Sequence, residues 1–281
     1  MSLKDALLAA ADSNYLTAWR EIIRLSPQPV IEDEPPLLML ASGEPVPLFN
    51  AAFVFSPVAD PTAIVDRAVR HYGVLGVPFS VHFRDELSPG LADACRAAGL
   101  VEHWQPPLMV LDPIAAAVEL SPAGLTIAAV APGDVDDYLG VVAEGFGAPF
   151  DMVERVFKKP LRELPGFTAL LGRLKGVPVA TSGLWCSDGV AGVYNVATLP
   201  AHRAKGYGAA MTWAAANLGR GQRPNERGSR PSPNPLNSQP EVLLPLGPSA
   251  RLPTVVRCCG CFGSRESWPP GRCQKYRLSP G

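Results

Sequence analysis

Residues 190–219, VAGVYNVATLPAHRAKGYGAAMTWAAANLG, are the stretch that decides the fold of this chain. The small and β-branched residues at 190–198 predict a strand, which a proline then ends because proline cannot donate to a sheet ladder. A short basic loop follows, and then a helix that begins at Gly206 or Tyr207. Gly219 stands where a left-handed residue usually follows a helix, so it is predicted as the C-cap.

The loop and the start of this helix have the features of an anion-binding site. The first N–H groups of a helix have no partner inside it, and the helix dipole adds partial positive charge there. Gly206 and Gly208 carry no Cβ, so a phosphate can approach the backbone closely. Arg203 and Lys205 add positive charge at the rim. The stretch does not match a Walker A loop, and Met211 stands where a Rossmann fingerprint needs its third glycine.

The R-x-x-G-x-G segment at 203–208, between a strand and an Ala-rich helix, resembles motif A of the GNAT N-acetyltransferase superfamily. The resemblance implies that the loop amides hold the pyrophosphate of acetyl-CoA and that residues 196–198 pair with the pantetheine amides. The cofactor-binding residues that it implies are Val196, Ala197, Thr198, Arg203, Ala204, Lys205, Gly206, Tyr207, Gly208 and Ala209. The alternative is an ordinary strand-turn-helix unit that binds nothing.

Composition and charge restrict the function classes. The 281 residues suffice for one large or two small domains, 47% of them are hydrophobic, and the formal net charge is −1. Such a chain has no basic field that would indicate a nucleic-acid partner, and no apolar run is long enough to span a bilayer. Ser2-x-x-Asp5 predicts a helix capping box instead of a signal peptide. We therefore expect a cytoplasmic protein with no nucleic-acid or membrane partner; its oligomeric state stays open.

Residues 1–115 are predicted as an N-terminal α/β domain, with the element order β-β-α-β-α-β over 37–112. Pro106 and Pro107 place the last of these strands at an edge of the sheet, since proline interrupts a ladder. The order resembles the central part of the GNAT fold, but the loop after the second strand contains no R-x-x-G-x-G. A GNAT-like half would therefore have lost its phosphate loop, and an unrelated α/β cap is the alternative.

Residues 124–220 are predicted as the GNAT N-acetyltransferase domain, with the order β-α-α-β-β-β-α. That order matches the first two thirds of the GNAT fold. The predicted fold class is therefore α/β with a mixed (α+β) sheet. The GNAT-like fold would be incomplete at its C-terminus and preceded by the degenerate half or cap.

The composition changes at about residue 221. Residues 221–281 are rich in Pro, Arg and Ser, with nine basic against three acidic residues. By the resemblance, a strand, a helix and a β-hairpin are due here, but the segments at 243–246 and 253–256 are too short and too broken to supply them. We expect a disordered tail, either a frameshift product or a natural extension. The GNAT domain would then be truncated, and its strand at 190–198 would lack a parallel neighbour.

The tail also contains four cysteines, of which Cys258 is the first. They lack the paired C-x-x-C spacing and the nearby histidine of a zinc site, so we expect free thiols and no bound metal. Cys95 and Cys186 have the apolar sequence neighbours typical of a core.

The sequence does not identify a catalytic residue. In the family that the motif resembles, a carboxylate usually deprotonates the amine, directly or through water. Glu144 and Asp151 lie in the loop region that covers the acceptor there, whereas Asp188 lies too far along the strand. His202 is expected to face phosphate or solvent, and Tyr194 to belong to the core.

Two functions remain open. The first is an acyl-CoA-dependent N-acyltransferase that moves the acetyl group of acetyl-CoA, its co-substrate, to an amine that the sequence does not name. The second is a catalytically inactive CoA-binding or structural relic, because the acceptor-side elements are missing. The composition of the tail favours little or no activity.

Overall fold

The computed structural model describes residues 3–104, 107–111, 119–187, 189–221, 241–244 and 256–262. Its helices are α1 (Leu3–Arg24), α2 (Pro61–Leu75), α3 (Leu91–Ala97), α4 (Val135–Phe146), α5 (Phe150–Glu163) and α6 (Tyr207–Gly221). Its strands are β1 (Val30–Glu34), β2 (Leu37–Ala41), β3 (Asn50–Val54), β4 (Ser80–Arg84), β5 (Val101–Trp104), β6 (Pro107–Leu111), β7 (Leu125–Ala129), β8 (Phe167–Leu174), β9 (Val177–Ser187), β10 (Val190–Thr198), β11 (Glu241–Leu244) and β12 (Val256–Phe262). All of them join one sheet of parallel and antiparallel pairs, which confirms the predicted α/β class with a mixed sheet. Among the described helices, none is both long and apolar enough to cross a membrane.

The N-terminal half builds its sheet mainly from pairs that are close in sequence. β1 and β2 form an antiparallel hairpin, β2 is antiparallel to β3, and β3 is parallel to β4. The crossover between β3 and β4 is α2, which Asp60 caps by accepting a hydrogen bond from the N–H of Ala63 at 3.0 Å. Val65, Ala68 and Tyr72 of α2 are buried against the strands, so this half has a core of its own.

The C-terminal half begins with an antiparallel meander of β7, β8, β9 and β10. Helices α4 and α5 cover one face, where Tyr138 and Leu139 are fully buried. Helix α6 covers the other face with Met211 and Ala215. The predicted order β-α-α-β-β-β-α is therefore present, and it places the motif strand between β9 and the middle of the sheet.

In the middle of the sheet, strands of the N-terminal half pair with two strands from the end of the chain. β6, from the N-terminal half, pairs antiparallel with β11, and β12 pairs with β4 on one side and with β5 and β6 on the other. β6 is thus an interior strand, and the prediction of an edge strand is wrong. Pro107 is tolerated because it is the first residue of β6, a position where a strand accepts proline.

Two segments of the tail belong to this sheet. β11 runs parallel to β10 over residues 190–192, so the prediction that the motif strand lacks a parallel neighbour is wrong. Four residues suffice because backbone hydrogen bonds to β10 and β6 hold both of their edges. The predicted disorder of residues 222–240, 245–255 and 263–281 concerns positions outside the described residues.

Gly219 lies inside α6, which continues to Gly221, so its prediction as a C-cap is wrong. A Cβ added to Gly219 would lie 2.6 Å from the Cβ of Ala191 and 3.1 Å from Cδ1 of Leu184. The glycine therefore allows the helix backbone to approach the sheet closely.

Helix α1 joins the two halves. Asn14 is fully buried; its Nδ2 donates to the carbonyl oxygen of Val190 at 3.2 Å, and its Oδ1 accepts from Tyr194 Oη at 2.6 Å. The ring of Tyr15 stacks on Phe55 of the N-terminal half and on Tyr194, with centroids 5.9 and 6.5 Å apart. The first helix therefore contacts the motif strand directly.

Candidate functional site

Among the described residues, strand β10 has one edge that is paired only at its start. On one side β9 pairs with it over residues 190–194 and again over 197–198. On the other side β11 pairs only with residues 190–192, and no other described strand continues that ladder. Beyond Gly192, the backbone groups on this edge are therefore available to a ligand that can pair as a strand does.

A β-bulge interrupts β10 at Asn195, where the register with β9 shifts between Tyr194 and Ala197. Asn195 has a left-handed backbone with φ 50°, and its carbonyl oxygen accepts a hydrogen bond from Thr181 Oγ1 at 2.9 Å. The extra residue shifts the alternation of side chains, so Val193 and Val196 both pack in the core under α6. Nothing in the sequence indicated this bulge.

The loop residues predicted to bind phosphate lie between the end of β10 and the start of α6. After a short 3₁₀ turn at Pro200–His202, Gly206 adopts φ 80° and α6 begins at Tyr207. A Cβ added to Gly208 would lie 3.6 Å from Thr198 Oγ1, so the first turn of α6 lies beside the end of the strand. Tyr207 is buried, which leaves only its backbone N–H to contact a ligand.

The cations of the loop are exposed, as expected, and they also hold the loop together. Arg203 donates from Nε to the carbonyl oxygen of Thr198 at 3.2 Å and from a terminal nitrogen to that of Gly145 at 2.7 Å. Lys205 Nζ donates to the carbonyl oxygen of Ala201 at 3.3 Å. Arg203 therefore joins the end of β10 to the last turn of α4.

His202 is half-buried and differs from the expectation of a side chain facing phosphate or solvent. Its Nδ1 is buried and has no hydrogen-bond partner among the described residues. Its ring lies 6.4 Å from that of Tyr207, so the imidazole packs against the start of α6.

The carboxylates considered for proton transfer do not converge on β10. Glu144 is exposed at the end of α4. Asp151 accepts from Arg155 at 2.9 Å, and this hydrogen bond lowers the pKa of its exposed carboxyl. Asp188 lies outside the described residues. Tyr194 is half-buried, and burial raises the pKa of its phenol well above 10.

The corresponding place in the N-terminal half cannot form an anion site. β3 pairs with β4 up to its last residue, so no edge of it opens as that of β10 does. The start of α2 is occupied by the Asp60 carboxylate, which satisfies a helix N–H and repels an anion. Among the described residues, no group of three or more His, Cys, Asp or Glu side chains could hold a metal ion.

Comparison with known proteins finds similarity in structure. No family model and no curated protein matches this sequence. A GCN5-related N-acetyltransferase from Kribbella flavida is similar over 92% of this chain and 96% of its own, with a TM-score of 0.63 and 23% identity. One from Sphaerobacter thermophilus matches 81% of this chain and 79% of its own, with a TM-score of 0.50 and 14% identity.

A conserved protein of unknown function from Staphylococcus epidermidis matches 82% of this chain and 90% of its own, with a TM-score of 0.56 and 12% identity. The similarity to all three structures spans both halves and not the motif region alone, since each match covers more than four fifths of this chain. The chain therefore has the fold of the GNAT N-acetyltransferases.

Proposed function

We propose that this protein is an acyl-CoA-dependent N-acyltransferase that transfers the acetyl group of acetyl-CoA to an amine. The observation that carries the proposal is the open edge of β10 beyond Gly192, which leads directly to the first turn of α6. An extended arm with amide groups fits such an edge, and a pyrophosphate fits the helix N-terminus beyond it.

In this proposal the residues divide into two groups along the ligand. The backbone at 196–198 pairs with the pantetheine amides, and the amides of residues 204–209 hold the pyrophosphate. Arg203 and Lys205 contribute charge while their hydrogen bonds to backbone carbonyls fix the loop. Residues 124–220 would carry the site and residues 1–115 would support it, in a cytoplasmic protein.

Acetyl transfer requires a neutral amine to attack the thioester carbonyl, whose oxygen then gains negative charge. A backbone N–H on the unpaired edge near the bulge can stabilise that oxygen. The proton of the amine needs an acceptor, and the Glu144 and Asp151 carboxylates are both exposed to solvent and do not converge on β10. No catalytic residue is therefore assigned.

The absence of a suitable carboxylate among those two favours a second possibility, a relic that binds CoA without turnover. Thiol release from acetyl-CoA with a panel of primary amines separates the two functions. Turnover above the rate without amine supports the transferase. Binding of CoA with no turnover on any amine of the panel supports the relic.

The binding site itself is tested by calorimetry with CoA on Gly206→Glu. The new carboxylate would stand at the proposed phosphate position, so CoA affinity should fall at least tenfold. Gly76→Glu is the matched control, because Gly76 also has a left-handed backbone, with φ 68°, and a Cβ there meets no atom within 4 Å. Equal affinity of the two variants for CoA would contradict the proposed site.

A further inference from the structure

Two phenylalanine side chains are exposed at the turn that joins α4 to α5. Phe146 is the last residue of α4 and is 58% exposed, and Phe150 is the first residue of α5 and is 42% exposed. Among the aromatic side chains that the structure describes, no other Phe, Tyr or Trp is exposed to this extent. Single apolar residues are common at a protein surface, but two large rings at one short turn form an apolar patch, and such patches often mark a binding site.

The turn is held in place without either ring. Gly147 has a left-handed backbone with φ 69°, and its N–H donates to the carbonyl oxygen of Glu144 at 3.2 Å. The N–H of Ala148 donates to the carbonyl oxygen of Ala143 at 2.8 Å, and the Ala148 side chain packs against the core. The two exposed rings are therefore presented by a turn of defined backbone geometry.

The patch begins one residue away from a contact with the strand that the proposed function assigns to the pantetheine arm. A Cβ added to Gly145 would lie 2.8 Å from the Cβ of Ala197 and 3.6 Å from the backbone nitrogen of Thr198. Arg203 donates to the carbonyl oxygen of Gly145 at 2.7 Å, which joins the end of α4 to the loop before α6. Phe146 follows Gly145 directly, so the apolar patch adjoins the proposed ligand site.

Charged residues limit the size of the patch. Glu144 and Asp151 are both exposed and lie on either side of it in the chain. The apolar surface is therefore little larger than two rings, an area that one short chain or one ring can cover. An apolar group that packs there removes the two rings from water, whereas a hydroxyl or a second ammonium group would lose water without gaining a hydrogen bond.

We propose that the acceptor of this transferase is a small primary amine with an apolar body that packs against Phe146 and Phe150. In the transfer, the amine nitrogen forms a bond to the acetyl carbon and the carbon–sulfur bond breaks. CoA leaves as the thiol and takes up the proton that the amine loses. The inference rests on the proposed acyl-CoA site, and it adds the chemical class of the amine.

The test is calorimetry with two amines on the full chain saturated with CoA, a complex in which no transfer takes place. Hexylamine and 5-aminopentanol have equal numbers of non-hydrogen atoms and differ only in a terminal methyl or hydroxyl group. The wild type should bind hexylamine about fivefold more tightly, because only the methyl group gains from contact with the rings. The double variant Phe146→Ser, Phe150→Ser should bind both amines about equally.

The double variant Phe146→Leu, Phe150→Leu should keep the preference for hexylamine, because leucine is also apolar. Its loss there would overturn the assignment to an apolar contact. Val74→Ser is the matched control, because Val74 is an apolar side chain, 89% exposed, on α2 of the N-terminal half. Its ratio Kd(5-aminopentanol)/Kd(hexylamine) should equal that of the wild type.

Two further outcomes separate this inference from the proposed function. If the wild type binds CoA but binds the two amines equally or not at all, or if the serine variant keeps the wild-type ratio, the inference is overturned and the proposed function is not. If the wild type does not bind CoA, the proposed function fails and the inference fails with it.

Discussion

Asn14→Ala should be among the most destabilising single changes in this protein. Asn14 lies on α1, is fully buried, and donates from Nδ2 to the carbonyl oxygens of Trp185 and Val190 and to Ser187 Oγ. Its Oδ1 accepts from Tyr194 Oη. Alanine leaves these groups buried without their partner.

The size of the effect follows from the groups left unpaired. A buried phenol without a partner costs about 1–3 kcal/mol, and two carbonyl oxygens each lose one hydrogen bond worth about 1 kcal/mol. The better helix propensity of alanine returns only about 0.5 kcal/mol. We therefore expect the free energy of unfolding to fall by about 4 kcal/mol, against a typical total of about 5–15 kcal/mol.

Urea unfolding followed by tryptophan fluorescence measures this loss. Ser13→Ala is the control on the same helix, because Ser13 is exposed, and it should change the free energy by less than about 0.5 kcal/mol. A double-mutant cycle with Tyr194→Phe should give a coupling of about 1–2 kcal/mol. A loss below about 1 kcal/mol in Asn14→Ala, or additive effects in the cycle, would refute the reasoning.

Four further substitutions give testable outcomes. Tyr72 Oη both accepts from and donates to the backbone of β2, so Tyr72→Phe should lower the free energy of unfolding in urea by about 1–3 kcal/mol. Among the described residues the Tyr138 hydroxyl has no hydrogen-bond partner, so Tyr138→Phe should lower the free energy of unfolding by less than about 0.5 kcal/mol; a loss as large as that of Tyr72→Phe would contradict this. Gly219→Ala should cost about 1–3 kcal/mol, because its Cβ would lie 2.6 Å from a strand side chain, and an unchanged urea midpoint would show that α6 can shift. Burial raises the pKa of Asp12 from 3.8 to about 6 although Arg84 lies 2.7 Å away. The folded protein therefore binds the Asp12 proton more tightly than the unfolded chain does. Protonated Asp12 makes its full contribution to the free energy of unfolding below pH 4, and this contribution falls by up to about 3 kcal/mol as the pH rises to 6. Asp12→Asn should remove this slope from stability measured between pH 4 and 6, and a slope equal to that of the wild type would contradict the assignment.

The strand and helix of the motif region could be predicted from the sequence because the residues that start and end them lie close together in the chain. The proline after the strand and the glycines before the helix act within a few residues, and β10 and α6 form where they predict. The bulge at Asn195 was not predictable, since its carbonyl is held by Thr181 on another strand. Gly219 was misassigned because its contact with Ala191 depends on how the helix packs on the sheet.

The central strands were mispredicted for a related reason. Pro107 suggested an edge, yet the strand is interior because β11 and β12 supply partners from the far end of the chain. The Pro-rich composition around residues 241–244 suggested disorder, and such a short strand shows no alternation of its own. The residues of a strand do not indicate which distant segment of the chain will pair with it.

The two halves differ at the place where a strand leads into a helix, which is β3 and α2 in the first half and β10 and α6 in the second. Every residue of β3 is paired with β2 or β4, and Asp60 occupies the start of α2, so this place in the N-terminal half offers no open strand edge or free helix N-terminus. Within the described part of the chain, β10 is paired on one edge only at its beginning, which leaves backbone groups without a strand partner. The N-terminal half also supports this strand through direct contacts. Asn14 donates to the carbonyl oxygen of Val190 at the start of β10, and the ion pair of Glu44 with Arg155 of α5, at 2.7 Å, joins the two halves.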